Sequence, residues 1–186
     1  MRKLLATALA LGLVAATAAA APGPYAGWQA RDIKALSPQE VDDLRAGRGM
    51  SLALAAELNG YPGPRHLLDL GDDLVLNDPQ RQAIGQLFAQ MQSDARRLGA
   101  DILRQEAALD SAFASGDLRE AELQQHLAVL GALRGELRFV HLRAHIAAKV
   151  LLSAAQVARY NELRGYAGGP ASGHGGGRHP HPPVPD

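Results

Sequence analysis

His141 and His145 are the side chains whose type and spacing best suit chemistry in this chain. Four positions apart on a helix, they leave the same side one turn from each other. That spacing can place two imidazoles on one zinc, nickel or copper ion. If the chain folds back at Gly116, Met91 falls opposite His141 and offers a soft thioether, while Phe88 falls near His145 and offers no ligand. The plainer reading has both histidines flanking an apolar stripe as packing residues. His174, His179 and His181 lie in a Gly- and Pro-rich stretch, where they can gather a metal loosely. Ordering such a stretch costs affinity. His66, ahead of Asp69, Asp72 and Asp73, reads as a helix-surface residue, and His126 has no companion.

Other chemistries find no support in the residues. With a cysteine count of 0, thiol nucleophiles, thiolate metal sites and disulfides are excluded. There is no Gly-x-Ser-x-Gly elbow, phosphate-cradling loop or dinucleotide fingerprint, so no active site is expected. Met1-Arg2-Lys3 is a basic start, Leu4 to Val14 is apolar, and Ala18-Ala19-Ala20 offers small residues for cleavage. Residues 1–20 thus read as a secretory signal cleaved near Ala20, too short for a convincing membrane span. Its loss takes the 19 basic residues to 17 against 19 acidic ones, a net charge of −2. That balance points neither to nucleic acid nor to an anionic membrane surface.

The element that must position the histidines is a long helical hairpin over 77–152. Its first arm repeats apolar residues at Ile84, Phe88, Met91, Ala95, Leu98, Ile102, Leu109 and Phe113; its second at Leu123, Leu127, Leu130, Leu133, Leu137, Val140, Ala144 and Leu151. Steps of three, four and seven keep one helix face apolar. Ser115-Gly116-Asp117 marks the fold-back, and Asp117 with Glu120 forms an acidic capping box for the second arm. Folding there sets Leu123 against Leu109, Leu130 against Ile102, Leu137 against Ala95, and Leu133 over Gly99. Gly131 and Gly135 weaken the second arm by about 1 kcal/mol each relative to alanine, and predict a bend.

Short elements flank the hairpin. Residues 21–36 carry no period and read as an extended arm. Ser37-Pro38-Gln39-Glu40 is a helix start, with Leu36 and Val41 placed for a hydrophobic staple. Helical segments are expected at 50–58, 65–76 and 153–165. The stretch 167–186 cannot bury enough apolar surface to fold and is predicted to be disordered. The fold class is therefore all-α, one helical domain over 37–166.

Leu76-Asn77-Asp78-Pro79-Gln80 and Leu152-Ser153-Ala154-Ala155-Gln156 share one form: Leu, a small polar residue, two residues, Gln. Each is a capping box, with Asn77 or Ser153 as N-cap and the glutamine reaching back. Two such signatures around a hairpin, behind an export signal, resemble the Spy/CpxP family of periplasmic proteins, in which Thr commonly stands where Asn77 and Ser153 stand here. The resemblance covers roughly 73–166. It implies a periplasmic homodimer, often curved, that acts without ATP on unfolded or misfolded proteins in the envelope-stress response. The family extends to zinc-resistance-associated and heavy-metal-sensing proteins, which implies metal binding as the alternative role. From the hairpin itself, the two signatures should lie side by side at its open end, about 55 Å from Gly116 at 1.5 Å per residue.

Overall fold

A computed structural model describes residues 23–166. The signal segment with its cleavage point and the tail with His174, His179 and His181 lie outside the described residues. A 3-10 turn at Trp28–Ala30 precedes six helices: α1 (Pro38–Ala46), α2 (Leu54–Glu57), α3 (Pro64–Asp69), α4 (Asp78–Ser115), α5 (Glu120–Val150) and α6 (Ala154–Leu163). No strand occurs among the described residues. The two long helices, α4 and α5, pack together as the hairpin, α1 and α3 lie on α4, and α2 touches α5.

The fold-back starts at Gly116, which ends α4 with φ +80, a conformation that costs glycine little. The second arm starts two residues later than its acidic box predicts. Asp117 is taken by the Ser115 hydroxyl, which donates to it at 2.5 Å and closes the turn behind α4. Arg119 becomes the N-cap instead: its backbone N–H donates to the Glu122 carboxylate at 3.3 Å. Arginine has no acceptor, so only this half of a capping box forms. The axis of the hairpin therefore lies past Gly116. Across it, Arg134 reaches Glu106 at 2.6 Å and Arg143 reaches Asp94 at 2.5 Å.

The seam between the arms buries Met91, Ala95, Leu98 and Ile102 against Leu130, Leu137, Val140 and Ala144, joined by Leu36 and Leu44. Gly99 does not serve Leu133. A Cβ built there would lie 2.1 Å from the Leu44 carbonyl oxygen, so the missing side chain is what lets α1 seat on α4. Helix α1 begins with the expected box: Ser37 N–H donates to Glu40 at 2.8 Å and Glu40 N–H returns to Ser37 Oγ at 3.2 Å. Leu36 and Val41 both pack into the main cluster. Toward the turn α1 no longer covers the hairpin, and the seam opens: Phe113 is 59% and Leu127 53% exposed. Helix α5 runs on through Gly131 and Gly135 without a break.

Three flanking segments depart from expectation. Residues 23–36 are turns rather than an extended arm. Gly27 at φ +91 turns the chain, Tyr25 meets Trp28 edge-on, and Arg31 stacks on the Trp28 ring at 3.6 Å. Lys34 then ties this segment to α4 through Asp110 at 2.7 Å. The helix expected over 50–58 is confined to α2, because Met50 and Ser51 adopt left-handed φ of +42 and +63. The helix expected over 65–76 stops at Asp69. Arg81 reaches back from α4 to Asp72 at 2.7 Å and to the Leu76 carbonyl at 3.0 Å, holding residues 71–76 as a turn. A second cluster, Leu67, Leu74, Leu76, Ile84, Ala148 and Tyr160, closes the open end of the hairpin around α6.

Candidate functional site

Both signatures sit at that open end, and they meet. In the first, Gln80 N–H donates to Asn77 Oδ1 at 2.8 Å and Asn77 N–H donates to Gln80 Oε1 at 3.1 Å. In the second, Gln156 N–H donates to Ser153 Oγ at 3.2 Å and Ser153 N–H to Gln156 Oε1 at 2.9 Å. The two side-chain amides then bond each other: Gln80 Nε2 donates to Gln156 Oε1 at 3.0 Å, and Gln156 Nε2 donates to Gln80 Oε1 at 3.1 Å. Each amide nitrogen has one further acceptor, the Leu151 carbonyl for Gln80 at 2.8 Å and the Leu74 carbonyl for Gln156 at 3.3 Å. Leu151 follows the last turn of α5, where carbonyls lack helical partners. Leu76 belongs to the buried cluster at this end, and Leu152 packs against that cluster.

One face of α5 away, a cavity of about 530 Å³ brings together His141, His145, Met91 and Phe88 with His66 and Glu57. Both α5 histidines are buried. His145 Nδ1 lies 2.8 Å from the Tyr61 carbonyl oxygen. A carbonyl only accepts, so Nδ1 carries the proton. Gly63 makes room for this ring, since a Cβ there would lie 2.9 Å from His145 Cε1. His141 Nε2 is buried with no hydrogen-bond partner. Burial, and then the charge of His145, hold the His141 pKa below its usual value, so the ring is neutral at pH 7. Burial also lowers His66, helped by Arg164 nearby.

The cavity wall includes a buried carboxylate that the sequence pattern did not single out. Glu57 accepts hydrogen bonds from the Tyr160 hydroxyl and from Gly63 N–H, the latter at 3.2 Å, and lies 3.6 Å from Arg164 Nε and 3.7 Å from His145 Nδ1. Burial and then the Glu57 bond push the Tyr160 phenol far above its usual pKa. Its only sequence signal was an acid one turn after Ala53 in an otherwise apolar run, where a carboxylate faces inward only if paired.

Chemically, the cavity offers the imidazoles of His141, His145 and His66, the Glu57 carboxylate and the Met91 thioether. Among the described residues no group of three or more His, Cys, Asp or Glu side chains is gathered as a metal site. His141, His145 and Met91 thus share one cavity, in which His141 Nε2 is unpartnered. None of the helices among the described residues is long and apolar enough to cross a membrane. Comparison with family models, curated proteins and solved structures gave no significant match.

Proposed function

We propose that this protein is an exported, ATP-independent chaperone of the Spy/CpxP type, acting as a homodimer in the periplasm on unfolded or misfolded envelope proteins. The observation that carries this reading is the open turn half of the hairpin. Phe113, Leu127 and Val129 are 59%, 53% and 43% exposed there. Val129, with Gln105, Leu118, Glu122 and Gln125, borders a shallow hollow of about 470 Å³. Small apolar contacts set among polar side chains hold a client weakly, with no fixed pose and no need of a nucleotide. The neutral-to-acidic charge balance leaves nucleic acid outside the partner class. The test is light scattering of an unrelated protein unfolding under heat or reductant. Suppression at near-equimolar ratio without ATP supports the reading; none at several-fold molar excess ends it.

A second reading, a heavy-metal sensor or metal-resistance binding protein for zinc, nickel or copper, is favoured by the unpartnered Nε2 of His141, one helical turn from His145. A metal-ligating histidine commonly donates its other nitrogen to a carbonyl, the arrangement His145 makes with Tyr61. Met91 lines the same cavity and adds a thioether. In calorimetry, His141→Ala should weaken binding at least about tenfold, or about 1.4 kcal/mol. A chain truncated after Gly165 should keep the affinity. Binding lost with the tail and unmoved by His141→Ala would assign the metal to the tail histidines instead.

A further inference from the structure

Both methionines that follow the signal segment, Met50 and Met91, line the histidine cavity. Its volume of about 530 Å³ falls in the range of about 300–1,000 Å³ that holds small organic molecules. Pro64 and Phe88 continue the apolar wall. The charged part of the lining is not balanced. Arg48, Arg65 and Arg164 bring three guanidinium groups against the two carboxylates of Asp43 and Glu57, a surplus of one positive charge. Arg48 is held by Asp43. Arg65 is freer: its partner Asp69 stands outside the lining, in an exposed pair of the kind that contributes little. The Arg65 guanidinium carbon lies 5.8 Å from the centre of the Phe88 ring, so charge and apolar wall adjoin. Arg164 lies 3.6 Å from Glu57, beyond hydrogen-bond distance, and donates to the Tyr166 hydroxyl at 3.2 Å. It is close enough to His66, the neighbour of Arg65, to help lower its pKa. His141 adds an independent sign. It is 3% exposed, and its Nε2 has no partner, so the wall holds a polar atom that the chain itself leaves unanswered.

We propose that this cavity binds a small monocarboxylate with an apolar body, an aryl- or alkyl-substituted acid. The carboxylate takes the planar forks of Arg65 and Arg164, whose paired N–H groups match its two oxygens. The body lies against Phe88, Pro64, Met50 and Met91, where apolar contact replaces water. One negative charge cancels the surplus of one. A cation would add to that surplus, and a dianion would leave a charge uncompensated in a partly buried place. The proposal rests on neither reading above and shares only the cavity with the second.

Calorimetry and methyl NMR in metal-depleted buffer test it, with 3-phenylpropionate as the acid and 3-phenylpropionamide as its uncharged counterpart. With the methionine methyls labelled, Met50 and Met91 report from the cavity wall itself. Both signals should shift and saturate together as the acid is added. The amide should bind at least about tenfold more weakly. Arg65→Gln should weaken the acid at least about tenfold and leave the amide unmoved. Arg164→Gln should do the same. Arg65 is exposed, so its variant should keep the fold and carry the test where Arg164→Gln, beside buried Glu57, loosens the domain. Phe113→Ser with Leu127→Ser, on the turn half, should bind the acid as the wild type does. Neither methyl moving at millimolar acid, an amide as tight as the acid, or Arg65→Gln binding the acid unchanged overturns the site. So does binding that is lost with the turn-half variant, which would place the acid on that surface instead.

Discussion

Gln80 and Gln156, 76 residues apart in sequence, exchange side-chain amide hydrogen bonds of 3.0 and 3.1 Å across the open end of the hairpin. Each oxygen also accepts its own N-cap backbone N–H, and each nitrogen also donates to a carbonyl. The pair therefore does two jobs: it caps α4 and α6, and it fastens the end of α5 to both.

Removing one amide strands its partner. Gln156→Ala should destabilise the domain by about 1–3 kcal/mol, since Gln80 and the Leu74 carbonyl lose partners in a part-buried place. A double-mutant cycle with Gln80→Ala should show a coupling of at least about 0.5 kcal/mol. Hydrogen exchange should speed up at the open end and stay unchanged at the Gly116 turn. Strict additivity would mean that the two boxes work independently.

Two glycines in α4 should respond in opposite directions. Gly99→Ala drives a Cβ into the Leu44 backbone and should displace α1, at a cost of several kcal/mol, on the order of the larger core-overpacking effects. Gly85→Ala meets open space and should stabilise by up to about 1 kcal/mol. Chemical denaturation of the two variants checks the contrast.

The hairpin, the stop of its first arm at Gly116 and the capping boxes of the two signatures were legible in the sequence because they depend on local period and on residues three positions apart. What the two glutamines do beyond capping was not legible, because an amide pair between distant residues leaves no periodic trace. Gly99 shows the same limit: its small size signalled a close approach, but whether Leu133 or Leu44 would make it depended on where α1 landed. The three shortened or turned flanks fail for a related reason. Arg81 and the left-handed Met50 and Ser51 override propensity through contacts made only in the folded chain. In the cavity, the i, i+4 spacing found His141 and His145 but not Glu57, whose inward aim rests on Tyr160, far along the chain.

Acid should weaken the fold through His141. Its folded pKa lies below the ordinary histidine value of 6.5, so the unfolded chain takes up the proton first. Stability should fall as pH drops below about 6.5, by at most about 1.4 kcal/mol per pH unit for one proton, and level off below the folded pKa. His66, also lowered, adds in the same direction. Thermal melts of His141→Gln between pH 7.5 and pH 5 should show a shallower decline than the wild type; identical slopes would remove His141 as a source of the acid sensitivity.

The most direct test of the chaperone reading alters the open turn half alone. Phe113→Ser with Leu127→Ser, both at exposed positions, should leave helix content and self-association unchanged. In light scattering of a heat-stressed client without ATP, the double variant should lose most of the suppression shown by the wild type. Suppression retained in full by the double variant would contradict the assignment of client binding to this surface.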